Sequence, residues 1–567
     1  MWNKRILGSL VALALVLAAC GTGEPSASAS GQPLAADQVF RFGSPEPQTM
    51  DPQQAYDTTS VAFLHQVSRP LLWFTKDLEL TADGGLAADL PTISDDGLTL
   101  TFTLKPGLKF SDASPITADN FVTAFRRLAD PRIAAAYQYL MSDVAGGNDV
   151  LAMALDDLPP DAEVDAALDK LGLTAVDDTT LEIKLSRAAG YFPYIAAMWV
   201  ASPVKVDAVA ADFAEAAGYV SSGPFKLTGW EHDASMAMER NENWVGEPAG
   251  LTSIKVTIQA KTSQAYDSYL NDELDMATVP TQHAAEVRAD PDLTAQSTEG
   301  DVLCTYYMGF DMTGTPDKPT KIIGQSKALR HALSQSVDRT ALVETINQGV
   351  GTVWTSMVSK GMAGADPDAG LAYDVVQAKA DLEIALDELK LTVADLSEGG
   401  KAQIELGYNK DAGHEPIMEF LQAQWKENLG ITVALTSLEW NAYLDRIHSE
   451  AEQFTIHRLG WCADYPHPND FLRDVWYTGS GNNGAKYSNP AFDKLVDDAA
   501  VTPELADQLP IYKEAQELLV DDAPALFLYS YGSFGVTKPW VLGLIPTAGD
   551  GTRGEYFFDK ITIATHE

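Results

Sequence analysis

Between Pro416 and Leu435 the chain encodes a helix and a strand back to back, and this pairing restricts the fold more than any other feature. Ile417, Leu421, Trp425 and Leu429 recur at helical spacing. Pro416 stands at the start, and Gly430 follows the last apolar residue. Proline opens a helix at little cost because its missing N–H is unbonded there anyway, and glycine ends one. Ile431, Val433 and Leu435 then alternate as a strand. Other segments add to the pattern. Leu98, Leu100, Phe102 and Leu104 alternate with threonines up to Lys105-Pro106-Gly107, which predicts a strand entering a hairpin. Thr117 precedes Phe121, Val122, Phe125 and Leu128, predicting a capped helix that stops at Asp130-Pro131. Strands are predicted again around Leu181–Leu185 and Ile254–Ile258, with turn clusters such as Ser221–Pro224 between them. The Ala- and Asp-rich stretch from Asp149 to Asp169 reads as surface helix or loop. Helices and strands interleaved in this way give a mixed α/β (α+β) fold.

The first residues bear on compartment. Lys4 and Arg5 precede an apolar run from Ile6 to Leu17, and Leu17-Ala18-Ala19-Cys20 reads as a lipobox. The run is short of the roughly 20 apolar residues of a spanning helix, so a signal peptide (1–19) is favoured over an uncleaved anchor. Cys20 is the expected lipidation site. The small, polar residues that follow, through 35, form a tether. The rest of the 567-residue chain, 46% hydrophobic overall, is long enough for two or three lobes. Lys and Arg number 39 against 80 Asp and Glu, a net charge of −41, which argues against nucleic acid and anionic lipid as partners. With Cys20 assigned to lipid, Cys304 and Cys462 remain, and two thiols in an oxidising compartment suggest one disulfide.

Catalytic and cofactor chemistry find no foothold. Gly479–Gly484 imitates a nucleotide-binding glycine pattern but lacks the helix that must follow it. No CxxC pair is present, His414-Glu415 has no second histidine, and a GxSxG elbow is absent. His448, His457 and His467 read as ordinary polar surface residues. The richest segment is Gly460-Trp461-Cys462-Ala463-Asp464-Tyr465-Pro466, where a carboxylate among bulky rings needs a cation. An internal partner such as Arg458 or Arg473 and an external ligand both answer that need.

This segment, with Tyr487–Leu495 after it, resembles the oligopeptide-binding proteins of peptide ABC importers, within the extracellular solute-binding proteins of family 5. The likeness continues through Asp95–Phe102, Lys109–Asp112, Pro115–Phe121, Ser222–Leu227, Leu303–Tyr307 and Lys538–Trp540, in order. It implies a two-lobed, hinged clamp of the periplasmic binding protein type II with an extra third domain. Lobe I is expected from 36–68, 202–303 and 531–567, the extra domain from 69–201, and lobe II from 304–530. The resemblance further implies that Asp464 holds the α-ammonium of an extended oligopeptide. His414 and Arg458 would meet its carboxylate, and Trp440, Trp461, Tyr307 and Tyr487 would line it. It pairs Cys304 with Cys462, and it implies no cofactor, metal or catalysis. The expected protein is a monomer, lipid-anchored outside the cytoplasmic membrane and serving ABC permease subunits. A cation of the family near Trp440 is not cleanly matched, Arg446 being displaced by one, and an acid expected near Tyr56 is replaced by Asp57 next door. The same fold adapted to a nickel chelate, a sugar or a signalling peptide is the alternative reading, and a hydrolase is disfavoured.

Overall fold

The computed structural model describes residues 31–153, 158–259, 261–314, 321–410, 412–449 and 453–566. The predicted signal peptide and Cys20 lie outside the described residues. The mixed α/β expectation holds.

An 11-stranded sheet organises the molecule. We number its strands β1 (Val39–Ser44), β2 (Phe225–Glu231), β3 (Ser235–Arg240), β4 (Ser253–Ile258), β5 (Met276–Thr278), β6 (Ser297–Phe310), β7 (Thr352–Val353), β8 (Glu405–Asn409), β9 (Ala434–Leu438), β10 (Ile456–Cys462) and β11 (Ala525–Thr537). Their spatial order is β9-β8-β10-β6-β11-β5-β1-β4-β3-β2, with β7 also on β11. The long antiparallel pair β6 and β11 joins the two halves. The first part of β6, from Ser297 to Asp301, pairs with Gly532–Val536, and its later part pairs with Ala525–Ser530, with the register shifting between Asp301 and Thr305. A separate four-stranded sheet, built from Thr92–Ile93, Thr99–Thr103, Leu173–Asp177 and Thr180–Lys184, packs into the same core as the first half.

Local chemistry explains the elements. Thr117 N–H donates to Asn120 Oδ1 (2.8 Å) at the head of the helix Ala118–Ala129, which ends before Pro131. The helix Glu415–Leu429 closes on Gly430 at φ 75°, where Ile431 N–H returns to Trp425 O (3.2 Å). Because Ile431 is used in that closure, β9 begins only at Ala434, three residues later than the apolar alternation predicts. Ile431 and Val433 are nevertheless fully buried. Side chains of β6 alternate between two cores: Tyr306, Met308 and Phe310 enter one, Leu303 and Tyr307 the other.

Two expectations are corrected. His457 and His467 are not surface residues, both being 0% exposed. His457 lies beneath Gly309, where a Cβ would come within 2.4 Å of its ring. His467 Nδ1 accepts the Asn469 N–H (3.1 Å) and so caps the helix Pro468–Trp476. Burial drives the pKa of each down to about 3, so both are neutral.

Cys304 and Cys462 sit directly opposite each other on β6 and β10 and form a disulfide between positions 158 apart in sequence. Closing so long a loop restricts the unfolded chain by about 5 kcal/mol on a chain-entropy model. The Cys304→Ser/Cys462→Ser double variant is therefore expected to lose about 2–5 kcal/mol in denaturant titration. An unchanged midpoint would refute a stabilising role for the bridge.

Candidate functional site

β10 carries the candidate site along one of its edges. One edge pairs with β6 throughout, while the other meets β8 only at Ile456 and His457. From Arg458 to Cys462 no strand among the described residues pairs with that second edge. In an antiparallel ladder alternate residues turn their N–H and C=O away from the partner. Tyr443 Oη donates to Arg458 O (2.6 Å) from outside, which sets the parity: Gly460 and Cys462 offer their backbone groups to the open edge.

Asp464 stands at one end. Its Oδ1 accepts a hydrogen bond from Tyr137 Oη (2.5 Å), and its buried Oδ2 has no partner among the described residues. Neither arginine offered by the sequence reaches it. Arg458 Nη2 donates to Tyr531 Oη (2.7 Å), and Arg473 Nη1 pairs with Asp497 (2.8 Å). Burial pushes the Asp464 carboxyl up to about 7, against the opposing effect of the Tyr137 hydrogen bond. The residue itself keeps partial exposure. A carboxylate whose one hydrogen-bond partner among the described residues is a phenol favours a cation beside it.

Arg458 stands at the other end. Its guanidinium lies 4.6 Å from the centre of the Tyr306 ring, and its Nη1 reaches Asn409 Oδ1 (3.5 Å). No carboxylate pairs with it among the described residues, and its buried Nε has no hydrogen-bond partner there. His414 joins this cluster through Tyr306 Oη (3.2 Å from Nδ1), and burial followed by the Arg458 charge lowers its pKa to about 3. It precedes the helix Glu415–Leu429, whose first N–H groups favour an anion. The structure thus brings His414 and Arg458 together and places Asp464 six positions on from Arg458, two past the end of β10.

The expected lining residues divide. Trp440 is 47% exposed, and its ring lies 6.2 Å from that of Tyr443. Trp461 is half-buried, with Nε1 donating to Asp470 Oδ2 (3.0 Å). Tyr307 and Tyr487 are core residues instead, 2% and 3% exposed. Tyr307 packs on Trp476 and Phe527, and Tyr487 Oη donates to Asp522 (2.7 Å). The alternation of β6 explains Tyr307: its neighbour Tyr306 takes the face toward Arg458. Tyr137 is the contributor that sequence reasoning missed. It lies 327 positions from Asp464, beyond any local pattern, although the acids Asp470 and Asp474 were visible one helical turn apart.

Tyr137, Arg187, Gly190 and Tyr194 reach the segments that follow β10. Gly190 N–H donates to Ala500 O (2.8 Å), Arg187 lies 3.6 Å from Asp497, and Tyr194 meets His467 edge to face. A sheet in two halves, joined by a strand pair and leaving one edge open between Arg458 and Cys462, has the form of a clamp of the periplasmic binding protein type II. The chain belongs to the bacterial extracellular solute-binding proteins of family 5, whose middle-region model matches residues 81–483. It is 29% identical to the oligopeptide-binding protein OppA of Bacillus subtilis, over 97% of this chain and 98% of that one. The murein tripeptide-binding protein MppA of Escherichia coli superposes at a TM-score of 0.75 with 23% identity, over 94% of this chain and 100% of that one. Haemophilus influenzae OppA, in complex with the peptide RPPGFSPFR, gives 0.74 at 22% identity with the same coverage. Among the described residues no helix is long and apolar enough to cross a membrane, and no cluster of His, Cys, Asp and Glu could hold a metal.

The raised pKa of Asp464 has a consequence for stability. The native state holds that proton more tightly than the unfolded chain, so this group's contribution falls as pH rises from about 4 to about 7. Without ligand, Asp464→Asn is expected to melt higher than the parent at pH 8 and to lose that advantage near pH 5. Calorimetric melts at the two pH values decide it, and a variant that melts lower at pH 8 would contradict the reading.

Proposed function

We propose that this protein is the substrate-binding component of a peptide ABC importer, capturing short extended oligopeptides between its two lobes and delivering them to the permease. The observation that carries the reading is the buried carboxylate of Asp464, which lacks a cationic partner of its own. An α-ammonium supplies that cation, forming a charge-assisted hydrogen bond of about 1.5–3 kcal/mol. The peptide backbone then pairs as an added strand with the open edge at Gly460 and Cys462, which gives affinity without reading side chains. With its amino terminus at Asp464 and its carboxylate toward Arg458 and His414, the peptide runs antiparallel to β10. Six residues of strand span about 20 Å, which suits roughly three to five extended residues once the Arg458 side chain is allowed for. The names of the B. subtilis, E. coli and H. influenzae relatives, all peptide binders, support the class of ligand.

The lobes are taken as 36–68, 202–303 and 531–567 for the first, 304–530 for the second, and 69–201 for the added domain. The register shift in β6 near Asp301 falls beside the boundary and is the natural hinge. Closure buries the charged ends and joins the two lobe surfaces, so peptide binding and permease docking are linked. The role is capture without chemistry. The lipobox at Cys20 supports anchoring at the outer face of the cytoplasmic membrane. The same fold serving another solute remains the second reading, and Asp464 disfavours any ligand without a free amine.

Isothermal titration of the intact protein with a tripeptide tests this. Asp464→Ala, or acetylation of the peptide's amino terminus, is expected to weaken binding at least about tenfold. Equal affinity for the acetylated peptide in the folded parent protein would refute recognition of the amino terminus.

A further inference from the structure

The acids do not stop at Asp464. Asp470 and Asp474 lie one turn apart on the helix Pro468–Trp476, whose first turn packs under the Asp464 backbone. Asp470 Oδ1 accepts the Asp464 N–H (3.4 Å), and Asp474 Oδ2 accepts Tyr465 Oη (2.8 Å). Among the described residues each of the three carboxyls is bonded to neutral donors only. The nearby cations are committed elsewhere: Arg473 to Asp497 (2.8 Å), and Arg187 to Asp143 (2.9 Å) and Asp497 (3.6 Å). Two arginines set against Asp143 and Asp497 leave the three acids unmatched.

A second observation points to a ligand. Tyr139 Oη is buried without a hydrogen-bond partner among the described residues, as is Asp464 Oδ2. The charges of Asp474 and Asp464 both bear on that hydroxyl, after burial itself, in holding its proton. The Tyr139 ring lies 6.0 Å from that of Tyr137, which bonds Asp464. Two unpartnered polar atoms thus share one acidic surround, larger than a single ammonium can neutralise.

We propose that the site for the peptide's first side chain, between Asp474 and Tyr139, is built for a second positive charge, so that preferred ligands begin with lysine or arginine. This rests on the reading of Asp464 as the ammonium site. In an extended lysine the α-nitrogen and the ζ-nitrogen are about 6–8 Å apart by standard bond lengths. That lets one lysine meet Asp464 with its α-ammonium and a second carboxyl with its side chain, and Asp474 is tied to the residue next to Asp464 by the Tyr465 Oη bond (2.8 Å). Asp474, which keeps partial exposure, is the reachable partner, while Asp470, 0% exposed and bonded by Trp461, lies behind it.

The test titrates the full protein with two tripeptides of equal stem length, Lys-Ala-Ala and norleucine-Ala-Ala. The lysine peptide is expected to bind at least about tenfold more tightly, the scale of one charge-assisted contact. Asp474→Asn keeps an acceptor for Tyr465 and is expected to shrink the gap to within about twofold by weakening only the lysine peptide. Equal affinities in the parent protein overturn the proposal, as does a gap that survives in a folded Asp474→Asn variant. Should both peptides bind equally well, peptide capture stands and only the cationic preference falls. Should neither bind, both readings fall. If Asp474→Asn does not fold, a Glu-Ala-Ala peptide decides on the parent protein, being expected to bind more weakly than the norleucine peptide, and equal or tighter binding overturns the proposal.

Discussion

The pairing of β6 with β11 underlies everything else in this molecule. Each strand is long enough to serve both halves of the sheet, and each changes partners along its length: β6 gives its other edge to β10, while β11 gives its own to β5 and β7. Two cores of the second half form because the side chains of β6 alternate across that one ladder. Were the pair to slip by one residue, Tyr306 and Tyr307 would exchange faces and Arg458 would lose the ring it rests against. The disulfide fastens β6 to β10 two residues before Asp464 and so extends the same positional order to the carboxylate.

Burial decides what the site does. A carboxylate in water at neutral pH is charged without help, whereas Asp464 has given up most of its solvation and receives one phenolic hydrogen bond in return. Its charge is thereby costly to hold without a cation beside it. At the opposite end Arg458 keeps its charge among tyrosines and an asparagine, none of which neutralises it. The strand edge between these two charges, at Gly460 and Cys462, is polar but carries no charged side chain.

Much of this was legible in the chain. The helix ended by Gly430, the capped helix after Thr117 and the strands near Leu100 and Val256 were all written as local periodicity, and local periodicity is what sequence displays. The acid at Asp464 was conspicuous because a charge among aromatics is costly to bury. Its partner Tyr137 was not, since the contact comes from 327 positions away and only the assembled fold creates it. Tyr307 was misplaced for a related reason: adjacent tyrosines on a strand face opposite ways, and which one meets the site depends on the register with β10. The histidines at 457 and 467 erred alike, because the space that buries them is made by Gly309 and by a helix start, neither of which marks itself as a cavity.

The open edge of β10 has a further meaning. Unpaired strand edges invite pairing with any extended chain, including another copy of the same protein, and are a common start of aggregation. Here the segments that follow the edge are held by another part of the chain, Tyr137 bonding Asp464 and Gly190 bonding Ala500. The unpaired groups that suit an added strand are thus also open to a second copy, and the net charge of −41 works against that pairing by repulsion between copies.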